Sequence, residues 1–230
     1  CGDLTVACLD ENEFMVFGSG AAQEMHRRWF ESHLDKFNLS YSNRSDDYHG
    51  LSIAGPNSRK VLEKIVRDDV SNEKFRFRDS KRMFVGGVPA IINRISFTGE
   101  LGYEIYVAPH YQLKLYEELM EAGKEFNIKP FGGRALMSMR LEKNWGAWTL
   151  DYRPDFTAKE TGLDAFINWD KEFIGKESAQ KENSSNKLIP LIVETNEIDV
   201  TNNEAVMNGD QSIGYVTSGG FAHFVNKSVA

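Results

Sequence analysis

Glu104 is the residue of this 230-residue chain whose setting most needs a chemical reason. It lies in the stretch 95–107, where Tyr103, Ile105 and Val107 fall on one face by period two and Glu104 and Tyr106 on the other. The stretch reads as two half-buried strand segments meeting at a tight bend, with Gly99 and Gly102 flanking Glu100. A carboxylate in such a strand either faces water or meets hydrogen-bond donors that offset its desolvation. Pattern alone favours the solvated face. The five histidines (His26, His33, His49, His110, His223) lack metal-ligand spacing, and His26 and His33, two helical turns apart, have no acidic or cysteine partner in register. Cys1 and Cys8 share one strand-like segment, which suits neither a disulfide scaffold nor a metal site and fits a reducing compartment. No metal is expected.

Composition narrows the partners. The formal net charge is −7 with no basic block, which argues against nucleic acid, and an anionic small ligand would need a local basic patch. No apolar run is long enough for a bilayer span and no signal peptide opens the chain. The expectation is no membrane partner and a cytoplasmic location, or the mitochondrial matrix in a eukaryote. The chain starts at Cys1 in what reads as mid-strand and stops at Ala230 inside another strand-like run, so a fragment of a longer protein is expected.

The elements that must position these residues follow from pattern. Residues 3–7 and 13–17 read as a hairpin turning at Asp10-Glu11-Asn12. A helix then carries Met25, Trp29, Phe30, Leu34 and Phe37 as an aromatic stripe, read as core rather than a cofactor box. Residues 51–54 form a strand, and Gly55-Pro56 opens a helix with Val61, Leu62, Ile65 and Val66 on one face. Residues 83–85 and 88–92 pair around Gly86-Gly87. Pro109 starts a helix with Leu113, Tyr116, Leu119 and Met120 inward, and another helix covers 134–144. This order predicts an α+β fold of ferredoxin-like split βαβ units. Beyond Trp148 come a Thr157–Glu160 capping box, a linker at Asn183-Ser184-Ser185-Asn186, and short strands at 188–193, 205–207 and 212–217 with a turn at Asn208-Gly209-Asp210. These last make a small C-terminal β-barrel or sandwich. The expected division is 1–150, a connecting helical segment 151–186, and 187–230.

Several segments, in order, carry a family resemblance. Ser96-Phe97-Thr98-Gly99-Glu100-Leu101-Gly102-Tyr103-Glu104 resembles the signature segment of the glycine-cleavage T-protein, the tetrahydrofolate-dependent aminomethyltransferase. So do Ala54-Gly55-Pro56-Asn57-Ser58, Met139-Arg140-Leu141-Glu142-Lys143, Phe173-Ile174-Gly175-Lys176-Glu177 and Gly214-Tyr215-Val216-Thr217-Ser218-Gly219. Gly18-Ser19-Gly20-Ala21-Ala22, Arg28-Trp29-Phe30, Gly162-Leu163, Ser218-Gly219-Gly220-Phe221 and Trp148 are similar to the C-terminal folate half of dimethylglycine and sarcosine dehydrogenases. That resemblance implies capture of a one-carbon unit as 5,10-methylenetetrahydrofolate from an iminium or formaldehyde-level donor. It also implies FAD only in a preceding domain of the same chain, since no flavin-binding glycine loop occurs here.

The resemblance assigns residues as well. Glu104 would accept the paired N–H donors of a reduced pterin, reversing the solvated reading and leaving Glu100 as the bend residue. Phe97 stands where relatives often have tyrosine, so stacking survives and a hydroxyl contact does not. Trp145 matches an aromatic near the pterin, with core packing as the competing reading. Asp3 matches the catalytic aspartate, with Gly2 in place of the first residue of an Asp-Asp pair; an anion there would stabilise a developing cation and relay a proton. An exposed turn-end aspartate is the alternative. Ser19 is carried over as cofactor-binding. Of Arg134 and Arg140, one would face the folate tail's carboxylates and the other form a structural ion pair. Two other readings within the fold are a tetrahydrofolate-dependent demethylase of dimethylsulfoniopropionate and a non-catalytic folate-binding relative. The iron–sulfur assembly relatives carry a Lys-Gly-Cys-type motif, and the loop 173–177 has no cysteine.

Overall fold

A computed structural model describes residues 2–230. The chain divides into two compact units, Leu4–Leu136 and Met137–Ala230, the second also taking Gly2 and Asp3.

In the larger unit, β1 (Thr5–Asp10) and β2 (Glu13–Phe17) form a hairpin that leads to α1 (Gln23–Glu31). Then come β3 (His49–Ala54), α2 (Ser58–Glu63), β4 (Ser80–Val85), β5 (Val88–Asn93), β6 (Gly102–Val107) and α3 (Gln112–Gly123). The four strands β3 to β6 make one antiparallel sheet in the order β3-β6-β5-β4, so the helical crossover through α2 joins the two edge strands. The β4–β5 turn requires its glycines, because Gly86 and Gly87 both hold positive φ, 57° and 78°, as two-residue hairpin turns demand. One sheet face packs Ile53, Val85, Ile92, Tyr103, Ile105 and Val107 against Leu62, Leu115 and Leu119 of the helices. Each such side chain contributes about 1.5–3 kcal/mol by leaving water, which fixes β6 at the sheet centre with Glu104 and Tyr106 on its other face.

Three expectations are corrected here. The stretch 95–107 is one strand, not two. Residues 95–101 form a loop in which the Ser96 and Thr98 hydroxyls hydrogen-bond each other at 2.7 Å, and Ser96 Oγ also accepts the Thr98 N–H. Such local bonds compete with a strand ladder. Helix α3 turns Leu115, Leu119 and Ala122 inward, whereas Leu113 and Tyr116 are 68% and 43% exposed. The proline opens a 3-10 turn, Pro109–Tyr111, before the α-helix begins, and its tighter winding shifts the register of the face that follows. The aromatic stripe of α1 is not core: the helix ends at Glu31, Trp29 and Phe37 are 40% and 59% exposed, and Ala22 and His26 are the buried residues.

In the smaller unit, α4 (Gly133–Glu142), which begins in the larger one, is followed by Asn144 at φ 55°. The capping box is present as reciprocal bonds, Thr157 N–H to Glu160 Oε2 at 2.8 Å and Glu160 N–H to Thr157 Oγ1 at 3.2 Å. It closes a single turn rather than a helix. After α5 (Lys176–Gln180) come β7 (Ile192–Val193), β8 (Ala205–Asn208), β9 (Gln211–Tyr215), β10 (Gly220–Ala222) and β11 (Lys227–Val229). They pair as β10-β11-β7 and as a β8-β9 hairpin turning at Gly209, φ 59°. The expected strand at 188–193 is only two residues long. No helix among the described residues is long and apolar enough to cross a membrane.

Candidate folate site

Glu104 sits at the middle of the larger unit's central strand, opposite Ser52 of β3 and Asn93 of β5. It is half-buried. Its Oε2 accepts the Tyr106 hydroxyl at 2.8 Å, and neither register neighbour hydrogen-bonds the carboxylate among the described residues. Burial pushes the Glu104 carboxyl above its ordinary value, and the Tyr106 hydrogen bond pulls against that. Burial likewise raises the Tyr106 phenol, with the Glu104 charge adding to it. The pattern reading of a solvated Glu104 is therefore overturned. The carboxylate is drawn out of water and satisfied by one neutral donor, leaving acceptor capacity on Oε1.

Asn93 is 1% exposed. Its Oδ1 accepts the Ser80 hydroxyl at 2.7 Å, while its Nδ2 has no hydrogen-bond partner among the described residues. A polar row, Ser52, Glu104, Asn93 and Ser80, thus crosses the sheet by register. Phe97 is half-buried in the 95–101 loop. Ser19 precedes the 3-10 turn Gly20–Ala22 and accepts the Ala22 N–H with its carbonyl, its side chain making no cap. Arg134, in the first turn of α4, is exposed.

In the smaller unit the arginine question has a geometric answer. Arg140 and Asp151 form an ion pair at 2.7 Å with side chains 3% and 5% exposed. Asp151 also accepts the Ala147 N–H at 2.8 Å and the Thr217 and Ser218 hydroxyls at 2.6 and 3.0 Å. Arg140 reaches the Trp145 carbonyl at 3.0 Å and Ser218 at 2.6 Å. Arg140 is thus the structural ion pair. Trp145, 42% exposed, borders a cavity of about 360 Å³. The next residue, Gly146, lies under the Tyr152 ring, where a Cβ would collide, and its N–H donates to the Tyr152 hydroxyl at 3.2 Å. Asp3 is exposed, yet the protein around its carboxyl desolvates it and raises its pKa. Tyr152 is raised by burial, with the Asp3 charge contributing.

Sequence reasoning missed Tyr106 as the partner of Glu104, although the period-two spacing put both on one face. It also missed Asp151, whose distance along the chain from Arg140 carries no signal, and Asn93, whose polarity is ordinary at a strand end. Among the described residues, no three His, Cys, Asp or Glu side chains gather as a metal site.

Comparison with known proteins bears on the whole chain. Residues 186–230 match the glycine cleavage T-protein C-terminal barrel domain. The mitochondrial dimethylglycine dehydrogenase of Homo sapiens is 34% identical over 99% of this chain and 27% of that protein. The aminomethyltransferase of Desulfitobacterium hafniense (strain Y51) is 32% identical over 99% of this chain and 63% of its own length. The chain thus spans less than two thirds of these relatives. The crystal structure of glycine cleavage system aminomethyltransferase T from Bartonella henselae superposes with a TM-score of 0.82 over 99% of this chain and 62% of that one, at 22% identity, and establishes the fold. With residues 1–171 matching the GCVT N-terminal domain, a T-protein fold around β6 and a barrel domain after it, the chain belongs to the glycine-cleavage T-protein family of folate-dependent aminomethyltransferases.

Proposed function

We propose that this chain binds a reduced folate and completes a one-carbon transfer from an iminium or formaldehyde-level donor, yielding 5,10-methylenetetrahydrofolate. It would do so as the folate half of a dimethylglycine- or sarcosine-dehydrogenase-like enzyme. The observation that carries this reading is the Glu104 carboxylate, withdrawn from water on the central strand and held by a single neutral donor. A planar pair of N–H donors, as on the edge of a pterin, fits what such a carboxylate lacks. The 34% identity to dimethylglycine dehydrogenase over 99% of the chain supports the methylated-amine side of the reading. Oxidation of the amine would belong to a flavin domain of the same polypeptide.

Roles are assigned residue by residue. Bound tetrahydrofolate supplies the nucleophilic nitrogens that take up the carbon. Glu104 anchors and orients the pterin. Asp3, made more basic by desolvation, accepts a proton more readily than an ordinary carboxylate and steadies positive charge. Arg134 is an exposed cation for the carboxylates of a folate tail, and Phe97 and Ser19 complete the binding set of the larger unit; Trp145, of the smaller unit, is carried by the family resemblance. Isothermal titration with 5-formyltetrahydrofolate tests the reading. One site is expected, weakened about tenfold to a hundredfold in Glu104→Gln, where an amide N–H replaces a charged acceptor. No binding by the chain, or equal binding by the variant, overturns it.

A further inference from the structure

A carboxylate that recognises two donors at once must hold its plane, and the terminal torsion of a glutamate is soft. Something in the protein must fix it before the ligand arrives, or binding bears that ordering cost. Glu104 has one hydrogen-bond partner among the described residues, the Tyr106 hydroxyl at 2.8 Å. The phenol lies two residues on, on the same face of β6, and leans along the strand to reach Oε2.

The Tyr106 ring is itself held on two sides. Phe17 of β2 packs on it with ring centroids 4.3 Å apart and planes 32° from parallel. Gly50 of β3, its register partner, has no side chain to displace it. A Cβ there would stand 2.9 Å from Tyr106 Cε1 and 3.1 Å from Cδ1. Absence of a side chain at Gly50 is therefore what lets the ring lie against β3.

We infer that Tyr106 is a positioning residue for Glu104, its hydroxyl fixing the carboxylate plane so that Oε1 stays available to the donors of the ligand, with Phe17 and Gly50 holding the ring that does so. The inference deepens the folate reading and rests on it for the ligand, though not for the geometry. The groups facing the pair are few. Strand β3 presents Ser52 and β5 presents Asn93, neither of which titrates. On β4, Arg82 is matched by Glu13 of β2. On α1, His26 lies against Gly18, next to Phe17, and burial keeps it neutral to lower pH than usual.

Two measurements on the 230-residue chain test this. In the free protein, the Glu104 side-chain ¹³C resonance is titrated by NMR in wild type, Tyr106→Phe and Gly50→Ala. Loss of the donor removes the interaction opposing burial, so the midpoint rises by about one pH unit or more in Tyr106→Phe. Gly50→Ala, which keeps the hydroxyl but crowds the ring, shifts it the same way and less. Should Tyr106→Phe not fold, Gly50→Ala reads the same quantity. In the second measurement, 5-formyltetrahydrofolate binding is followed against pH. Tyr106→Phe weakens it roughly threefold to tenfold near pH 8, and its loss on acidification begins at higher pH than in wild type. A Glu104 midpoint unchanged in the folded variants overturns the inference. So does a Tyr106→Phe folate profile matching wild type while Glu104→Gln still weakens binding, and in that case the folate reading stands. If wild type does not bind the probe, the folate reading falls and the NMR midpoint still decides the role of Tyr106.

Discussion

Asp151 in the smaller unit and Glu104 in the larger are both carboxylates drawn out of water, and their surroundings differ in kind. Asp151 meets a guanidinium, a backbone N–H and two hydroxyls, so both its oxygens are engaged and its charge is matched. Among the described residues Glu104 meets one phenol and no cation. A saturated buried carboxylate ties elements together: here it joins α4, the turn at Ala147 and the segment 217–218. An undersatisfied one stays costly in the free protein and is retained where a ligand completes it. The count of donors, more than burial, separates the structural acid from the one proposed to recognise a ligand.

The comparison breaks most sharply at Asp151. Asp151→Ala strands Arg140 in the interior without a counter-ion, and removing one partner of a buried pair costs about 3–5 kcal/mol. A lower denaturant midpoint is expected, followed by tryptophan fluorescence, to which Trp145, Trp148 and Trp169 of the smaller unit contribute. A midpoint matching wild type would show that the network is not structural. Glu104→Gln should move stability the other way. Because burial raises the Glu104 pKa above its ordinary 4.5, the folded state binds more protons than the unfolded state between 4.5 and the raised value. Stability therefore falls as pH rises through that window and stays reduced above it. The glutamine variant, free of this penalty, should melt a few degrees higher at neutral pH and show a flatter dependence of Tm on pH, measured by calorimetry. A Glu104→Gln variant less stable than wild type at neutral pH would place Glu104 with Asp151. The smallest effect is expected at Arg27, whose pairs with Glu24 and Glu31 lie on the surface of α1. Arg27→Ala should leave Tm unchanged, since solvent and salt screen such pairs.

Much of this was legible before any coordinates. The alternation of Tyr103, Ile105 and Val107 put one face of β6 in the core, and Gly86-Gly87 announced a turn needing positive φ. The family motifs named the fold. Helix faces were read less well. Counting a helix from Pro109 places Leu113 and Tyr116 inward, and the 3-10 turn there changes the phase. The stripe of α1 reads as core because periodicity reports that one face is apolar and says nothing of what covers it.

Local pattern by itself determined which residues of β6 share a face, where the hairpin turns and where a capping pair closes, because these depend on neighbours a few positions away. Which carboxylate is neutralised is a different matter. Arg140 finds Asp151 and Ser218 through the fold of the smaller unit, and Tyr106 finds its seat because Gly50 and Phe17 arrive from other strands. Charge matching and desolvation are set by everything within a few ångströms, whatever its place in the chain. Only the tertiary structure could separate the two arginines and distinguish Glu104 from a solvated glutamate.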